Sequence, residues 1–175
     1  MTPKLADFGL AQDGSQPGPF INPIQPDRYH APEVLLGTGW SYSADIWNFA
    51  ILVWDLLTGR TLFLDPGGES QPYSAARHLS EMIGILGPVP SALLKQEREM
   101  RYWRWMPEVV NAEGQHCDNV VDYYGGPFFS DDGCSCLLPA QPTLLAMLRR
   151  CCRREDSDID HPRDVQNATG TSLLT

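Results

Sequence analysis

Lys4-Leu5-Ala6-Asp7-Phe8-Gly9-Leu10-Ala11, then Tyr29-His30-Ala31-Pro32-Glu33, then Ser43-Ala44-Asp45-Ile46-Trp47 are the three stretches whose order and spacing decide how this chain is read. Residues 4–6 read as the end of a short strand running into Asp7. The glycine two residues beyond Asp7 lets the chain turn. Residues 12–27 hold Gly14, Gly18, Pro17, Pro19, Pro23 and Pro26, the composition of a long loop. A loop of that length in a compact domain is usually functional or disordered. Ser43 to Leu57 predicts a helix, with Ser43 as N-cap, Asp45 in the first turn and Gly59 as the stop. Ile46, Trp47, Phe49, Ala50, Ile51, Leu52, Val53, Trp54, Leu56 and Leu57 leave it almost no polar face. A helix apolar all round is expected to be buried in the middle of a larger helical body.

Working outward, Leu79, Met82, Ile83 and Leu86 follow the i, i+3, i+4, i+7 pattern and predict a second helix over 74–86, ended by Gly87-Pro88. A third helix is expected to start near Ser91 and carry Leu93 and Leu94. Residues 97–133 are rich in acids and aromatics and show no clean period. Thr143 to Cys152 reads as a fourth short helix. Residues 153–175 are polar, mixed in charge and poor in large apolar groups, the composition of a disordered tail. No internal repeat is visible.

The chain has 175 residues, 42% of them hydrophobic, and a formal net charge of −9. That length can bury a sizeable core in one domain. The negative charge excludes nucleic acid as a partner, because neutralising phosphates requires a basic face. Cys117, Cys134, Cys136, Cys151 and Cys152 match no zinc pattern of paired Cys-x-x-Cys knuckles. Reduced thiols, and hence a cytoplasmic or nuclear location, are expected. The first residues show no apolar core of signal-peptide length. The longest apolar run, Ile46 to Leu57, is too short to span a bilayer, so no membrane partner is expected.

The three opening stretches resemble the protein-kinase family. The resemblance implies a mainly α, protein-kinase-like fold, with the C-terminal lobe only. It makes Asp7 the magnesium ligand of Mg-ATP, with Phe8 packing into a hydrophobic column and Gly9 permitting movement of the segment. It makes residues 7–33 the activation segment, in which Ser15 is the only possible serine or threonine phosphosite between residues 10 and 30. Glu33 anchors that segment through a buried ion pair with an arginine. Asp45 and Trp47 are scaffold residues of the central helix, about 43–58. The stretches 35–47, 58–63, 73–79, 81–87 and 128–133 are similar to the SR-protein kinases and their fungal relatives. That subgroup implies phosphorylation of serine in arginine/serine-rich proteins. Eight acids against three arginines between Glu97 and Asp132 suit such basic partners.

The chain also departs from the family. His30 stands where the subgroup has arginine, which puts the packing of the activation segment in doubt. Ala50 agrees with the subgroup. The 175 residues hold no glycine-rich phosphate loop, no strand lysine and no His-Arg-Asp loop. No catalytic base is therefore identified, and the N-terminal lobe and catalytic loop are read as absent. Residues 1–152 are read as a partial kinase domain, divergent over 134–152, with altered exon usage or a gene-model error as one origin of 134–175. Arg153, Arg154 and Arg163 are candidate partners of Glu33. Two further readings of the chain stand beside an enzyme fragment: a non-catalytic, kinase-derived binding module, and a truncated gene product. Oligomeric state is not indicated.

Overall fold

The computed structural model describes residues 4, 6, 8–15, 18–59, 61–63 and 72–131. Asp7, the expected helix over 143–152 and the expected tail over 153–175 lie outside the described residues. Lys4 and Ala6 are not in a strand, so the short strand expected before Asp7 is not formed by the described residues. The described residues of the loop expected over 12–27 form no helix before a 3-10 turn at Asp27–Tyr29. A short helix, α1 (Pro32–Leu35), follows; proline is at home in a first helical turn, where its missing N–H would be unpaired anyway.

The central helix, α2, spans Tyr42–Thr58. Its N-cap is Ser41, not Ser43 as expected, because residue 41 is the last in extended conformation (φ −150°). Gly59 ends it at φ 65°, where its N–H donates to the Asp55 carbonyl at 2.9 Å. That left-handed geometry is costly for any residue with a side chain. Burial all round is not observed. Ala44 and Ile51 are buried on one face, while Tyr42, Ile46, Phe49 and Leu56 form an exposed stripe on the other. Residues at those spacings share a face, and the described residues pack against the opposite one.

The second helix, α3 (Ala75–Leu86), starts where Ser74 accepts from the Arg77 amide at 3.4 Å. Leu79, Met82 and Ile83 are buried as their spacing predicts, but Leu86 is exposed because the last turn runs past the core. α4 (Ser91–Met100) begins at the expected residue. The aperiodic stretch beyond it resolves into a hairpin and a short helix. β1 (Val109–Val110) pairs antiparallel with β2 (His116–Cys117), Val109 opposite Cys117 and Val110 opposite His116. Asn111 Oδ1 closes the turn by accepting from the Gln115 amide at 2.8 Å and the Glu113 amide at 3.1 Å. In α5 (Val120–Tyr124), Asn119 caps the start by accepting from the Asp122 amide at 3.0 Å.

The main core gathers Leu35 of α1 and Leu36 just after it, Ile51 of α2, Phe63, Leu79, Met82 and Ile83 of α3, and Phe128 and Phe129. Phe128 and Phe129 come from the phenylalanine–acid stretch singled out in the sequence. Full burial of each such side chain contributes roughly 1.5–3 kcal/mol, so the segment after α5 is fastened to the main core by these two rings. Among the described residues no helix is long and apolar enough to cross a membrane.

Candidate functional site

Residues 18–36 are built onto α2 and the residues just before it by stacking and side-chain hydrogen bonds. Phe20 and Trp40 pair as an isolated bridge, the Trp40 amide donating to the Phe20 carbonyl at 2.8 Å. Their rings stack at 4.9 Å, and the Trp40 indole N–H donates to the Asn22 carbonyl at 2.8 Å. Gln25 has φ 76°, an uncommon conformation for a residue with a side chain. Its amide links two elements: Nε2 donates to the Ala44 carbonyl at 2.9 Å, and Oε1 accepts from the Ala31 amide at 2.8 Å. The turn at Gln25 is thereby fastened both to α2 and to the residue that caps α1.

Tyr29 donates to Asp55 Oδ2 at 2.8 Å, which raises the phenol pKa above its usual value. Its ring packs on the main core, in keeping with a structural role for this tyrosine. His30 is buried. Its Nδ1 lies 3.0 Å from the Asp27 carbonyl and 3.1 Å from the Tyr73 hydroxyl, and its Nε2 lies 3.1 Å from the Tyr124 hydroxyl. The Tyr73 hydroxyl also lies 3.0 Å from His78 Nδ1. Burial pushes His30 down to about 4 and His78 down to about 3, and it raises Tyr73 and Tyr124. The doubt that His30 cast on packing is resolved: the smaller ring is fully enclosed, with both nitrogens near polar partners.

Glu33 accepts from Ser43 Oγ at 2.9 Å, and its backbone carbonyl accepts from the Thr38 amide at 3.1 Å. Ser43, expected to cap α2, therefore ties α1 to α2 instead. Arg153, Arg154 and Arg163 lie outside the described residues. Asp45 is exposed in the first turn of α2. Trp47 is half-buried and its ring runs parallel to that of Phe63 at 6.2 Å.

The other end of the loop is different. Phe8 is 68% exposed and joins none of the three core clusters, so the hydrophobic packing expected of it is not formed by the described residues. Gly9 is exposed beside it, and the Ala11 amide closes a turn onto the Phe8 carbonyl at 3.1 Å. Ser15 is exposed, and its amide donates to Asp13 Oδ1 at 2.9 Å. Gly14 lies against the Tyr42 ring, where a Cβ would collide with the hydroxyl. Among the described residues no group of three or more His, Cys, Asp and Glu could hold a metal ion. Asp7, the expected ligand, lies outside them.

Residues 97–131 form a second polar surface. Glu97 and Arg101 are a buried pair at 2.7 Å, and Arg101 also faces the exposed Asp131 at 3.6 Å. Burial raises Glu97 despite the hydrogen bond from Arg101. Arg104 donates to Asp118 at 2.6 Å. Tyr102, Trp103 and Met106 are exposed alongside. Cys117 is a free, buried thiol whose pKa is raised by that burial. Sequence reasoning missed Gln25, Tyr73, His78 and Tyr124. No local pattern marks them, because their partners lie 5 to 94 residues away.

The comparisons with known proteins agree with this arrangement. A family model described as a protein kinase domain matches residues 1–158. A serine/threonine protein kinase of Aspergillus fumigatus is 44% identical over 113 residues, covering 59% of this chain and 26% of that protein. The serine/threonine-protein kinase SKY1 of Saccharomyces cerevisiae is 39% identical over 98 residues, covering 56% of this chain and 13% of that protein. Protein kinase dsk1 of Schizosaccharomyces pombe is 35% identical over 101 residues, covering 58% and 18%. The matched stretch spans about a quarter or less of the length of these relatives. With the family match extending over most of its length, this chain belongs to the protein kinase domain family.

Proposed function

We propose that this chain carries the activation segment and the substrate-side part of a serine/threonine kinase of the SR-protein-kinase type, one that acts on arginine/serine-rich proteins in the cytoplasm or nucleus. The observation that carries this reading is the way residues 18–36 are held. Gln25, Tyr29 and Glu33 fasten the loop to α2, and Trp40 holds it just ahead of that helix, so the surface next to Ala31-Pro32-Glu33 has a defined shape. The excess of acids over 97–132 supports a basic substrate, because opposite charge speeds encounter and favours the right partner.

In this reading Asp7 contributes one magnesium ligand, Gly9 lets the segment turn beside it, and Glu33, Asp45 and Trp47 are scaffold. Phosphoryl transfer depends on several groups acting at once: metal ligands, a lysine on the phosphates and a residue that takes the hydroxyl proton. These 175 residues contain no His-Arg-Asp loop and no glycine-rich phosphate loop. They are therefore expected to bind basic peptide without turning over Mg-ATP.

The test pairs two measurements on the purified chain: binding of a fluorescent arginine/serine peptide by anisotropy, and phosphate transfer from Mg-ATP to the same peptide. The expected result is salt-sensitive binding with no transfer. Equal binding of a peptide with its arginines replaced by glutamine would overturn the substrate assignment. Transfer above background would overturn the inactivity.

A further inference from the structure

His30, Tyr73, His78 and Tyr124 come from four separate parts of the chain: the residue before Ala31-Pro32-Glu33, the segment before α3, α3 itself and α5. Counting protons among them determines how the network is bonded. A backbone carbonyl can only accept, so the 3.0 Å contact with Asp27 places a proton on His30 Nδ1. His30 Nε2 is then a lone pair, and Tyr124 donates to it. The Tyr73 hydroxyl sits beside His30 Nδ1, which already carries a proton, so Tyr73 sends its own proton to His78 Nδ1. His78 consequently carries its single proton on Nε2, which is buried and has no hydrogen-bond partner among the described residues.

We propose that these four side chains form a proton-gated clasp: with one proton on each imidazole it holds the end of the activation segment onto α3 and α5, and a second proton on either ring releases it. A second proton on His30 can enter only at Nε2. That atom then becomes a donor facing Tyr124, whose hydroxyl must turn round and give up its own acceptor. A second proton on His78 enters at Nδ1 and points at the Tyr73 proton in the same way. Either event also places a charge in a site closed to water, with both rings buried.

The titratable groups that face the rings are Asp27 from the 3-10 turn, Tyr73 from the segment before α3, and Tyr124 from α5. Asp27 favours the charged form of both rings, but burial outweighs it, and charge on His30 disfavours charge on His78. The rings of Tyr73 and Tyr124 pack on His30 at 5.4 and 5.3 Å, and Tyr73 meets His78 at 5.9 Å. The clasp is thus a packed unit rather than a chance set of polar contacts, and it does not depend on what substrate the chain binds.

The test is long-range 1H–15N spectroscopy of the full chain labelled at histidine, followed from pH 7 to pH 4. Two rings are expected as single neutral tautomers, one protonated at Nδ1 and one at Nε2, and both still neutral at pH 5, where an exposed histidine is mostly charged. Tyr124→Phe removes only the donor to His30 Nε2. It is expected to move the His30 signal and to speed amide exchange over residues 27–31 about fivefold; Tyr102→Phe, at an exposed ring, is expected to change neither. Rings that average between tautomers or charge near pH 6.5 would overturn the clasp. So would a Tyr124→Phe chain with unchanged His30 signal and exchange. The wild-type titration decides the matter by itself if that variant does not fold.

Discussion

Residues 8–15 and residues 18–36 are the two ends of the segment 8–36, and they are held in different ways. The first end holds Phe8 and Gly9 of the Asp-Phe-Gly motif, yet Phe8 and Leu10 are exposed, and the Ala11-to-Phe8 and Ser15-to-Asp13 hydrogen bonds join near neighbours. The second end contains no group that does chemistry, yet it is stacked, bridged and enclosed by Trp40, Gln25, His30 and the core under Leu35. Order follows the partners that the described residues supply. The surface beside Ala31-Pro32-Glu33 has its partners in α2, α3 and α5, whereas none of the described clusters reaches Phe8.

Several measurements could break or sharpen this contrast. The largest effect is expected at Leu35, which is fully buried in the main core. Leu35→Ala should cost about 2–5 kcal/mol, read from the urea midpoint; a loss below about 1 kcal/mol would mean that α1 is not seated as described. Acidification comes next. His30 is depressed to about 4 from 6.5, so between those values the unfolded chain binds more protons than the folded one. Its contribution is fully present above pH 6.5 and is lost as the pH falls through the window down to about 4, to a total of roughly 3 kcal/mol. Urea midpoints that stay flat from pH 7 to pH 4.5 would contradict an enclosed His30.

Gln25 should show a smaller effect. Gln25→Ala removes both amide hydrogen bonds and leaves the backbone at positive φ, for an expected loss of about 1–3 kcal/mol. Gln25→Gly removes the same bonds but is at ease at φ 76°. It should therefore be less damaging than alanine, and the reverse order would mean that the turn is not held by this backbone geometry. The smallest effect belongs to the exposed end: Phe8→Ala is expected to change stability by less than about 0.5 kcal/mol. A loss above about 2 kcal/mol in the same measurement would erase the contrast between the two ends.

Much of this was legible in the sequence because it depends on near neighbours. The spacing of Leu79, Met82 and Ile83 marks the buried face of α3, and the glycine after Thr58 marks the end of α2. The order of the Asp7-Phe8-Gly9, Ala31-Pro32-Glu33 and Asp45-Ile46-Trp47 motifs identifies the family. Other features were not legible. The apolar residues of α2 point all round the helix, so their number could not reveal which face the described residues would cover. Ser43 suits a cap as well as it suits a hydrogen bond to Glu33, and the choice came from where α1 lies.

The sequence by itself determined the family and the helices α2, α3 and α4, because periodicity, caps and motif order are written over a few residues at a time. Only the tertiary structure decided that His30, an apparent departure, is enclosed between Tyr73 and Tyr124, and that Gln25 links α1 to α2. Those contacts join positions up to 94 residues apart. A buried polar side chain must find its partners wherever the fold places them, and no local pattern records that placement.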